Sequence, residues 1–167
     1  MQSCLLDTSY LITLSDSSRQ QHETAKQYFK SCIDASVVMH LSTIAIAEFS
    51  VNQAIPDFIY ANCIVLPFNV DEAIEAGRIH QLLKDTPQNS PQAKSSGDRV
   101  ALKDDIKLIA QAHRNAIEFV LTEDGKTFKK TVARLTELGN STLKVALLVD
   151  GFDETIFTNG QHTISLQ

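Results

Sequence analysis

The sequence predicts an α/β fold, because short apolar runs typical of buried strands alternate with one-sided helical segments. The chain has 167 residues, of which 43% are hydrophobic, and that is enough for one domain with a sizeable core. Strands separated by helices favour a mostly parallel sheet that is covered on both faces. We therefore expect a three-layer sandwich in residues 1–150, with residues 151–167 as a C-terminal extension of the same domain.

Three apolar runs in the first half of the chain predict strands, and one-sided apolar stripes between them predict helices. Ser42 and Thr43 are suitable N-caps for a helix after the second strand. Pro56 breaks either that helix or the segment that directly follows it. Asn69 or Asp71 can cap the helix after the third strand. The predicted strands are residues 3–6, 37–41 and 63–66, and the predicted helices are residues 22–33, a segment through Glu48, and residues 73–83.

The second half of the chain contains a long polar segment and a turn signal. Residues 84–98 hold two prolines, three serines and one glycine, which predicts a loop rather than a linker between domains. Asn159-Gly160 favours a two-residue turn, so residues 155–166 are expected to form a hairpin appended to the sheet. The other predicted elements are helices over residues 106–113 and 131–138 and strands over residues 117–121 and 143–149.

Composition excludes several classes of protein. No apolar run approaches the roughly 20 residues of a membrane helix. The N-terminus has no basic residue before Arg19, which does not fit a secretory signal. Cys4, Cys32 and Cys63 lack metal-site spacing, so we expect reduced core thiols in a cytoplasmic protein. The five histidines do not cluster in sequence, and structural or surface roles are expected for them.

The charge is unevenly distributed along the chain. The formal net charge of -5 argues against nonspecific nucleic-acid binding by the chain as a whole. Residues 84–144 nevertheless hold eleven of the fifteen Lys and Arg residues against eight acids, whereas both flanking regions are net acidic. This middle region is either an ordinary solvated surface or a patch that faces a substrate.

Four acidic residues lie at predicted strand ends or on apolar helical stripes. Asp7 follows the first predicted strand and Asp124 the fourth, and the carboxyl ends of strands are where open α/β sheets bind ligands. Glu48 and Asp105 lie on apolar helical stripes, whereas the neighbouring Asp104 shares a mostly polar one. Each acid has an ordinary alternative role, such as a helix N-cap for Asp7 or a solvated or lysine-paired acid for Glu48.

Together, the four acids are expected to meet at one edge of the sheet. Like charges at short distance repel and raise each other's pKa, and a divalent cation removes that cost. Carboxylate oxygens are ligands that suit Mg²⁺ or Mn²⁺. The chemistry that follows is metal-assisted hydrolysis of a phosphodiester bond.

Four ordered segments of the sequence carry a resemblance to a known family. They read LLDTSYLI from residue 5, STIAIAEF from residue 42, DIKLIAQA from residue 105 and VLTED from residue 120. Over about residues 4–128, this order resembles the PIN-domain nucleases and, among them, the VapC-type toxins of bacterial toxin–antitoxin pairs. Residues 84–98 and 150–167 look like additions to the family pattern. The resemblance implies a PIN-like fold and a Mg²⁺- or Mn²⁺-dependent endoribonuclease.

For the site, the resemblance implies that Asp7, Glu48, Asp105 and Asp124 bind the metal and carry catalysis. It also implies hydroxyl support from Thr8 or Thr122. The implied partners are a second copy of the chain in a homodimer, a small antitoxin protein, and single-stranded or structured RNA, such as transfer RNA. We expect phosphate contacts, without sequence readout, from the basic side chains of Lys126, Lys129, Lys130 and Arg134.

Two other functions are compatible with the sequence. The first is a catalytically silent PIN-like protein that binds RNA or acts as a scaffold. The second is a phosphotransfer domain with Asp7 as nucleophile. A haloacid dehalogenase phosphatase would have a second Asp where Ser9 stands, and a receiver domain would carry its phosphoacceptor on a later strand.

Overall fold

The structure, a computed structural model, describes residues 1–86 and 96–157, and for residues 96–101 it describes the backbone only. In these residues one sheet contains five strands, and every neighbouring pair is parallel. The strands are β1 (Ser3–Leu6), β2 (Val38–Ser42), β3 (Cys63–Leu66), β4 (Phe119–Thr122) and β5 (Lys144–Leu147). Their spatial order is β3-β2-β1-β4-β5, which places β1 at the centre of the sheet.

Helices occupy most of the connections between the strands. The helices in the described residues are α1 (Thr8–Ser15), α2 (His22–Asp34), α3 (Thr43–Phe49), α4 (Asp57–Asn62), α5 (Val70–Asp85), α6 (Ser96–Arg114) and α7 (Phe128–Glu137). Two short 3₁₀ helices follow β5, at Leu148–Asp150 and Glu154–Phe157. Within the described ranges, none of these helices is both long enough and apolar enough to cross a bilayer.

Two hydrophobic cores lie on opposite faces of the sheet. Leu5 belongs to one core and Leu6 to the other, because successive side chains of a strand point to opposite faces. The same alternation separates Val120 from Leu121 on β4. All four side chains have no exposed surface, as expected for a parallel sheet between two helical layers. The predicted α/β three-layer sandwich is therefore confirmed, and its sheet is fully parallel in the described residues.

The order of the strands excludes the receiver form of the phosphotransfer alternative. Receiver domains have the doubly wound order 2-1-3-4-5, whereas this sheet has the order 3-2-1-4-5. The fold is therefore not that of a phosphotransfer receiver.

The structure contains two helices that the sequence did not predict, and it corrects both ends of the predicted loop. Helices α1 and α4 were not expected, and the predicted loop over residues 84–98 is shorter, because α5 continues to Asp85 and α6 already begins at Ser96. Residues 87–95 lie outside the described residues. Helix α1 forms despite several β-branched residues because Tyr10, Leu11 and Leu14 are buried on one side of it.

The C-terminal hairpin prediction is wrong for its first residues. Glu154–Phe157 is a 3₁₀ helix, whose Ile156 side chain is buried in the same core as Leu6. The Ile156 carbonyl accepts a hydrogen bond of 2.6 Å from Gln2 Nε2, so this turn is tied to the first strand instead of pairing as a hairpin. Residues 158–167, including the Asn159-Gly160 turn, lie outside the described residues.

The cysteines lie where the composition predicts them. Cys4 and Cys32 are fully buried, Cys63 is partly buried, and all three are free. The Sγ atoms of Cys4 and Cys32 are 3.9 Å apart.

Candidate active site

The central strands bring two of the predicted acids to the same edge of the sheet. β1 and β4 are neighbours, with Leu6 opposite Leu121, and the Asp7 N–H donates to the Leu121 carbonyl at 3.1 Å. Asp7 therefore begins where β1 ends, and Asp124 lies just beyond the end of β4. Both acids stand at the carboxyl edge of the sheet, which is the usual ligand edge of such folds.

Helix α3 brings Glu48 towards this edge. The helix starts directly after β2, where the Ser42 hydroxyl accepts the Ile44 N–H at 3.0 Å as an N-cap. Glu48 is partly buried, and its Oε2 accepts a short hydrogen bond from the Thr8 hydroxyl. Among the ion pairs of the described residues none includes Glu48, so the lysine-paired alternative does not apply.

Helix α6 carries Asp105 and is hydrogen-bonded to the ends of strands β2 and β3. The Gln111 side chain accepts a hydrogen bond of 2.5 Å from Ser42 Oγ and donates one of 3.1 Å to the Leu66 carbonyl. Asp105 is only 8% exposed, whereas Asp104 is partly exposed and pairs with Lys107 at 2.6 Å. This difference in burial is the one that the two helical stripes predict.

Two hydroxyls hold the Asp7 carboxylate. Ser9 Oγ donates to Asp7 Oδ2 at 2.5 Å, and Thr122 Oγ1 donates to the same oxygen at 2.7 Å. Burial raises the pKa of Asp7, these two hydroxyls and the Thr8 N–H partly oppose the rise, and the Asp124 charge adds to it. Although Asp7 occupies the N-cap position of α1, its side chain makes no capping bond, so the N-cap alternative does not account for it.

Asp124 is held by the first residues that lead into α7. Its Oδ1 accepts the N–H groups of Lys126 at 2.7 Å and Thr127 at 2.9 Å, and its Oδ2 accepts the Thr127 hydroxyl at 2.5 Å. Burial raises the pKa of Asp124, but the Thr127 hydroxyl and the N–H groups of Lys126, Thr127 and Phe128 outweigh it and lower the pKa overall. Asp124 is therefore the acid of this group that ionises most readily.

One carboxylate oxygen of Asp105, the buried Oδ2, has no hydrogen-bond partner in the described residues. Burial raises the pKa of Asp105 to about 7, the Thr127 hydroxyl opposes the rise, and the nearby charges of Asp7, Asp124 and Glu48 add to it. A buried carboxylate oxygen of this kind usually costs stability, and it is the type of atom that a cation would satisfy.

The four predicted acids therefore influence one another electrostatically. The pKa of Glu48 is raised as well, chiefly by burial, while the Thr8 hydroxyl opposes the rise and the charges of Asp104 and Asp7 add to it. Each of the four acids therefore acts electrostatically on at least one of the others.

The side chains do not form a finished coordination sphere. Within residues 1–86 and 96–157, no three Asp, Glu, His or Cys side chains are arranged so that they could hold one metal ion. The hydrogen bonds explain this arrangement, because Asp7, Glu48 and Asp124 are each turned towards hydroxyl or N–H donors. An ion would have to displace some of these donors. The oxygen-only donor set and the unpartnered Asp105 Oδ2 nevertheless fit Mg²⁺ or Mn²⁺.

The predicted basic residues differ in what they contact. Lys129 forms an exposed ion pair with Asp150 at 2.7 Å. Arg134 donates to the carbonyls of Leu83 and Thr86, so it fastens α7 to the end of α5. Lys126 and Lys130 are exposed and make no ion pair with other described residues. Arg134 is therefore structural in this arrangement, whereas neither Lys126 nor Lys130 is held by an ion pair with a described residue.

Sequence reasoning missed two hydroxyl residues of the site. Ser9 and Thr127 each bond one of the acids, at positions two and three residues after Asp7 and Asp124. Short spacings from Asp to Ser or Thr are typical of local turn hydrogen bonds and could have identified them. The predicted hydroxyls, Thr8 and Thr122, do contact the acidic group, at Glu48 and Asp7 respectively.

Comparison with known proteins gives a match only at the level of structure. No protein-family model and no curated protein matches the sequence. A solved structure of VapBC2 from Rickettsia felis, bound to a promoter DNA fragment, matches with a TM-score of 0.57 at 14% identity, covering 87% of this chain and 99% of that chain. DNA-bound VapBC from Salmonella typhimurium matches with a TM-score of 0.56 at 18% identity, covering 89% and 99%.

A third solved structure is that of VapC20 from Mycobacterium tuberculosis, described as a toxin that cleaves the sarcin–ricin loop. It matches with a TM-score of 0.52 at 16% identity and covers 76% of this chain and 94% of that chain. Identities this low establish the fold and nothing finer. The chain has a VapC-type PIN-domain fold.

Proposed function

We propose that this chain is a divalent-metal-dependent endoribonuclease and the toxin of a toxin–antitoxin pair. The observation that carries the proposal is the unpartnered Oδ2 of Asp105, buried beside three other carboxylates at the ligand edge of the sheet. Leaving a buried polar atom unpaired costs about 1–3 kcal/mol. Such a cost is typical of sites that are organised for a ligand rather than for stability.

In this proposal Asp7, Asp105 and Asp124 are the metal ligands, and Glu48 completes the ligand set or orients the attacking water. The chemistry that a bound Mg²⁺ or Mn²⁺ supplies is acidification of water and neutralisation of charge on phosphate oxygens. The donors Ser9 and Thr122 hold Asp7 at the end of β1. Their bonds keep one oxygen of Asp7 fixed, so the carboxylate is orientated before a ligand arrives.

Glu48 is suited to handle a proton. Because burial raises its pKa above the ordinary value for a glutamate, its carboxylate accepts a proton from water more readily than an exposed glutamate does. The Thr8 hydroxyl fixes the orientation of the Glu48 side chain. Lys126 lies exposed next to Asp124 and would contact a phosphate of the substrate, and Lys129 could do so after its pair with Asp150 opens.

The proposed partners follow the solved structures that share the fold. The Rickettsia and Salmonella proteins were solved as VapBC bound to DNA, and VapC20 cleaves the sarcin–ricin loop. By extension, we propose RNA as substrate, single-stranded or structured, including transfer RNA. An antitoxin protein as inhibitor, a homodimer and a cytoplasmic location belong to the same proposal.

The test is cleavage of RNA by the purified chain with Mn²⁺ or Mg²⁺, with EDTA, and with EDTA followed by excess Mn²⁺. Cleavage is expected with Mn²⁺ or Mg²⁺ and after excess Mn²⁺ has been added to EDTA, but not with EDTA alone. Asp7→Asn should lower the rate by at least about 100-fold, since removing one oriented electrostatic partner costs about that much. Asp34→Asn, an exposed acid at the end of α2, is the matched control and should cleave like the parent. Equal cleavage by Asp7→Asn and the parent would refute the mechanism.

A catalytically silent RNA-binding or scaffold protein is the second candidate. It is favoured by the absence, in the described residues, of three side chains already arranged to hold one ion. Thermal unfolding distinguishes the two, because a ligand that binds only the folded state raises the melting temperature. If Mn²⁺ stabilises the parent but not Asp105→Asn, the nuclease is supported. RNA binding that EDTA leaves unchanged, without products and without stabilisation by Mn²⁺, supports the silent protein.

A further inference from the structure

Arg19 is a basic side chain that pairs with Glu123, the residue directly before Asp124. It lies in the connection between α1 and α2, outside the basic middle region of the sequence. Its Nη1 pairs with Glu123 Oε2 at 2.6 Å and lies 3.3 Å from Thr13 Oγ1. The same Glu123 oxygen accepts the Thr13 hydroxyl at 2.6 Å. The guanidinium is therefore fastened to the residue directly before Asp124.

A short chain of bonds connects Arg19 to Asp7. The Glu123 N–H donates to Ser9 Oγ at 2.9 Å, and Ser9 Oγ donates to Asp7 Oδ2 at 2.5 Å. Ser9 and Thr13 are one turn apart on α1, so they lie on the same side of the helix. Arg19 is therefore linked to Asp7 through Glu123 and Ser9 on the α1 side, while Lys126 follows Asp124 on the α7 side.

The guanidinium keeps donors free for a ligand. Of its groups only Nη1 makes hydrogen bonds within the described residues, which leaves Nε and Nη2 unused there. The side chain is 40% exposed. A planar fork of free N–H groups matches two oxygens of a phosphate, and a guanidinium that is already held in place loses less freedom when it binds.

We propose that Arg19 binds a backbone phosphate of the RNA next to the one that is cleaved, with Glu123 as the residue that positions it. This inference rests on the proposed nuclease function. The RNA backbone would then pass the acidic group between Arg19 and Lys126. Arg134, which the sequence assigns to the same task, is engaged by the Leu83 and Thr86 carbonyls instead.

The alternative for Arg19 is a purely structural ion pair. An exposed pair of this kind contributes little to stability. A side chain that neutralises no phosphate adds nothing to the salt dependence of RNA binding. A phosphate contact does change it, because each neutralised phosphate of a single strand adds about 0.7 to the slope of log affinity against log salt. The salt slope therefore separates the two roles.

The experiment measures binding of a labelled mixed-sequence single-stranded RNA by fluorescence anisotropy over a range of salt concentrations. All proteins carry Asp7→Asn to prevent cleavage, and Arg19→Gln and Arg19→Lys are compared with the unchanged background. Lys26→Gln, which removes the same charge from an exposed ion pair on α2, is the matched control. Cleavage kinetics of Arg19→Gln in the otherwise unaltered chain give kcat and KM separately.

We expect Arg19→Gln to bind about tenfold more weakly, with a salt slope smaller by about 0.7. Arg19→Lys should keep the slope, Lys26→Gln should match the background, and Arg19→Gln should raise KM while kcat stays close to the parent value. An unchanged slope in Arg19→Gln, with normal RNA binding and cleavage by the parent, overturns the role of Arg19 alone. If the parent neither binds nor cleaves RNA, the proposed function fails and this inference fails with it.

Discussion

Asp105 differs from the other three acids of the site in its hydrogen bonds and in its pKa. Three of the acids have hydroxyl or N–H donors, whereas the Oδ2 of Asp105 has none among the described residues. Its pKa of about 7 means that a substantial fraction of the folded molecules carry it protonated at neutral pH. A buried carboxylate oxygen without a partner lowers the stability of the folded protein.

The raised pKa of Asp105 predicts how the free energy of unfolding depends on pH. The pKa of Asp105 is raised from 3.8 in the unfolded chain to about 7 in the folded one, so the folded state binds more protons between these values. Its contribution to the free energy of unfolding consequently falls as the pH rises from about 4 to about 7, and it is then constant. Asp105→Asn cannot ionise and should be more stable than the parent at pH 8 by about 1–3 kcal/mol.

Urea unfolding of both proteins at pH 4 and pH 8, without divalent metal, measures this difference. The two proteins should have similar stability at pH 4 and diverge at pH 8. Asp34→Asn, at an exposed position, serves as the control and should follow the parent at both values. A parent and an Asp105→Asn variant whose stabilities change in parallel would show that Asp105 ionises normally.

At the scale of elements, a partly buried histidine connects helices α5 and α6 to the segment that precedes β5. His113 on α6 has Nδ1 at 3.2 Å from Glu75 Oε1 on α5 and Nε2 at 3.0 Å from Ser141 Oγ. Arg78 binds both oxygens of Glu75 at 2.8 Å and holds the acid in place. These residues lie near the amino ends of β4 and β5, whereas the acidic group lies at the carboxyl edge.

We expect His113→Ala to destabilise the fold by about 1–3 kcal/mol, because it leaves the Ser141 hydroxyl and Glu75 without a shared partner in a partly buried place. The cleavage rate at a temperature where the variant is folded should equal that of the parent. His80→Ala, at an exposed position on α5, should change neither quantity. Denaturant unfolding and cleavage assays on the three proteins check this, and a loss of cleavage in folded His113→Ala would contradict a structural role.

The elements differ in how well the sequence predicts them. The core strands have clear apolar runs, and the helices carrying Glu48 and Asp105 have clear apolar stripes, the first of them with Ser42 as its N-cap. Their type and order therefore follow from local signals. Helix α1 lacks such a signal, because Thr8, Ile12 and Thr13 are β-branched and resemble a continued strand. What makes α1 helical is the burial of Tyr10, Leu11 and Leu14 against distant residues, which is a property of the packed molecule.

At the scale of the whole molecule, the convergence of the acids was predictable and their hydrogen bonds were not. A parallel sheet brings the ends of all its strands to one edge, so the positions of Asp7 and Asp124 in the sequence were enough. The partners of each carboxylate depend on side-chain rotamers and on neighbours from other elements, such as Thr8 for Glu48. The same holds for Arg19, whose partner Glu123 is 104 residues away.

Large apolar side chains are exposed at one edge of the sheet and on the helix that follows it. On the edge strand β3, Ile64 is 57% exposed and Val65 is 44% exposed. On α5, which follows β3, Val70 is 73% exposed and Ile74 is 67% exposed. Exposed apolar groups on an edge strand and an adjoining helix are typical of a surface that another chain covers. We expect the homodimer that the sequence predicts to use this surface.

Val70 and Ile74 are four residues apart on α5 and therefore share one face of the helix, so replacing both with Lys places two positive charges on each copy of the expected interface. The parent should behave in solution as a dimer of the 18.5 kDa chain, and Val70→Lys/Ile74→Lys should behave as a folded monomer. Val149→Lys, an exposed apolar position in the 3₁₀ helix after β5, controls for an added charge and should remain dimeric. Light scattering coupled to gel filtration measures the mass of each protein. A monomeric parent would refute the homodimer, and a dimeric double variant would move the interface elsewhere, because two buried ammonium groups per subunit could not be accommodated at a dry contact.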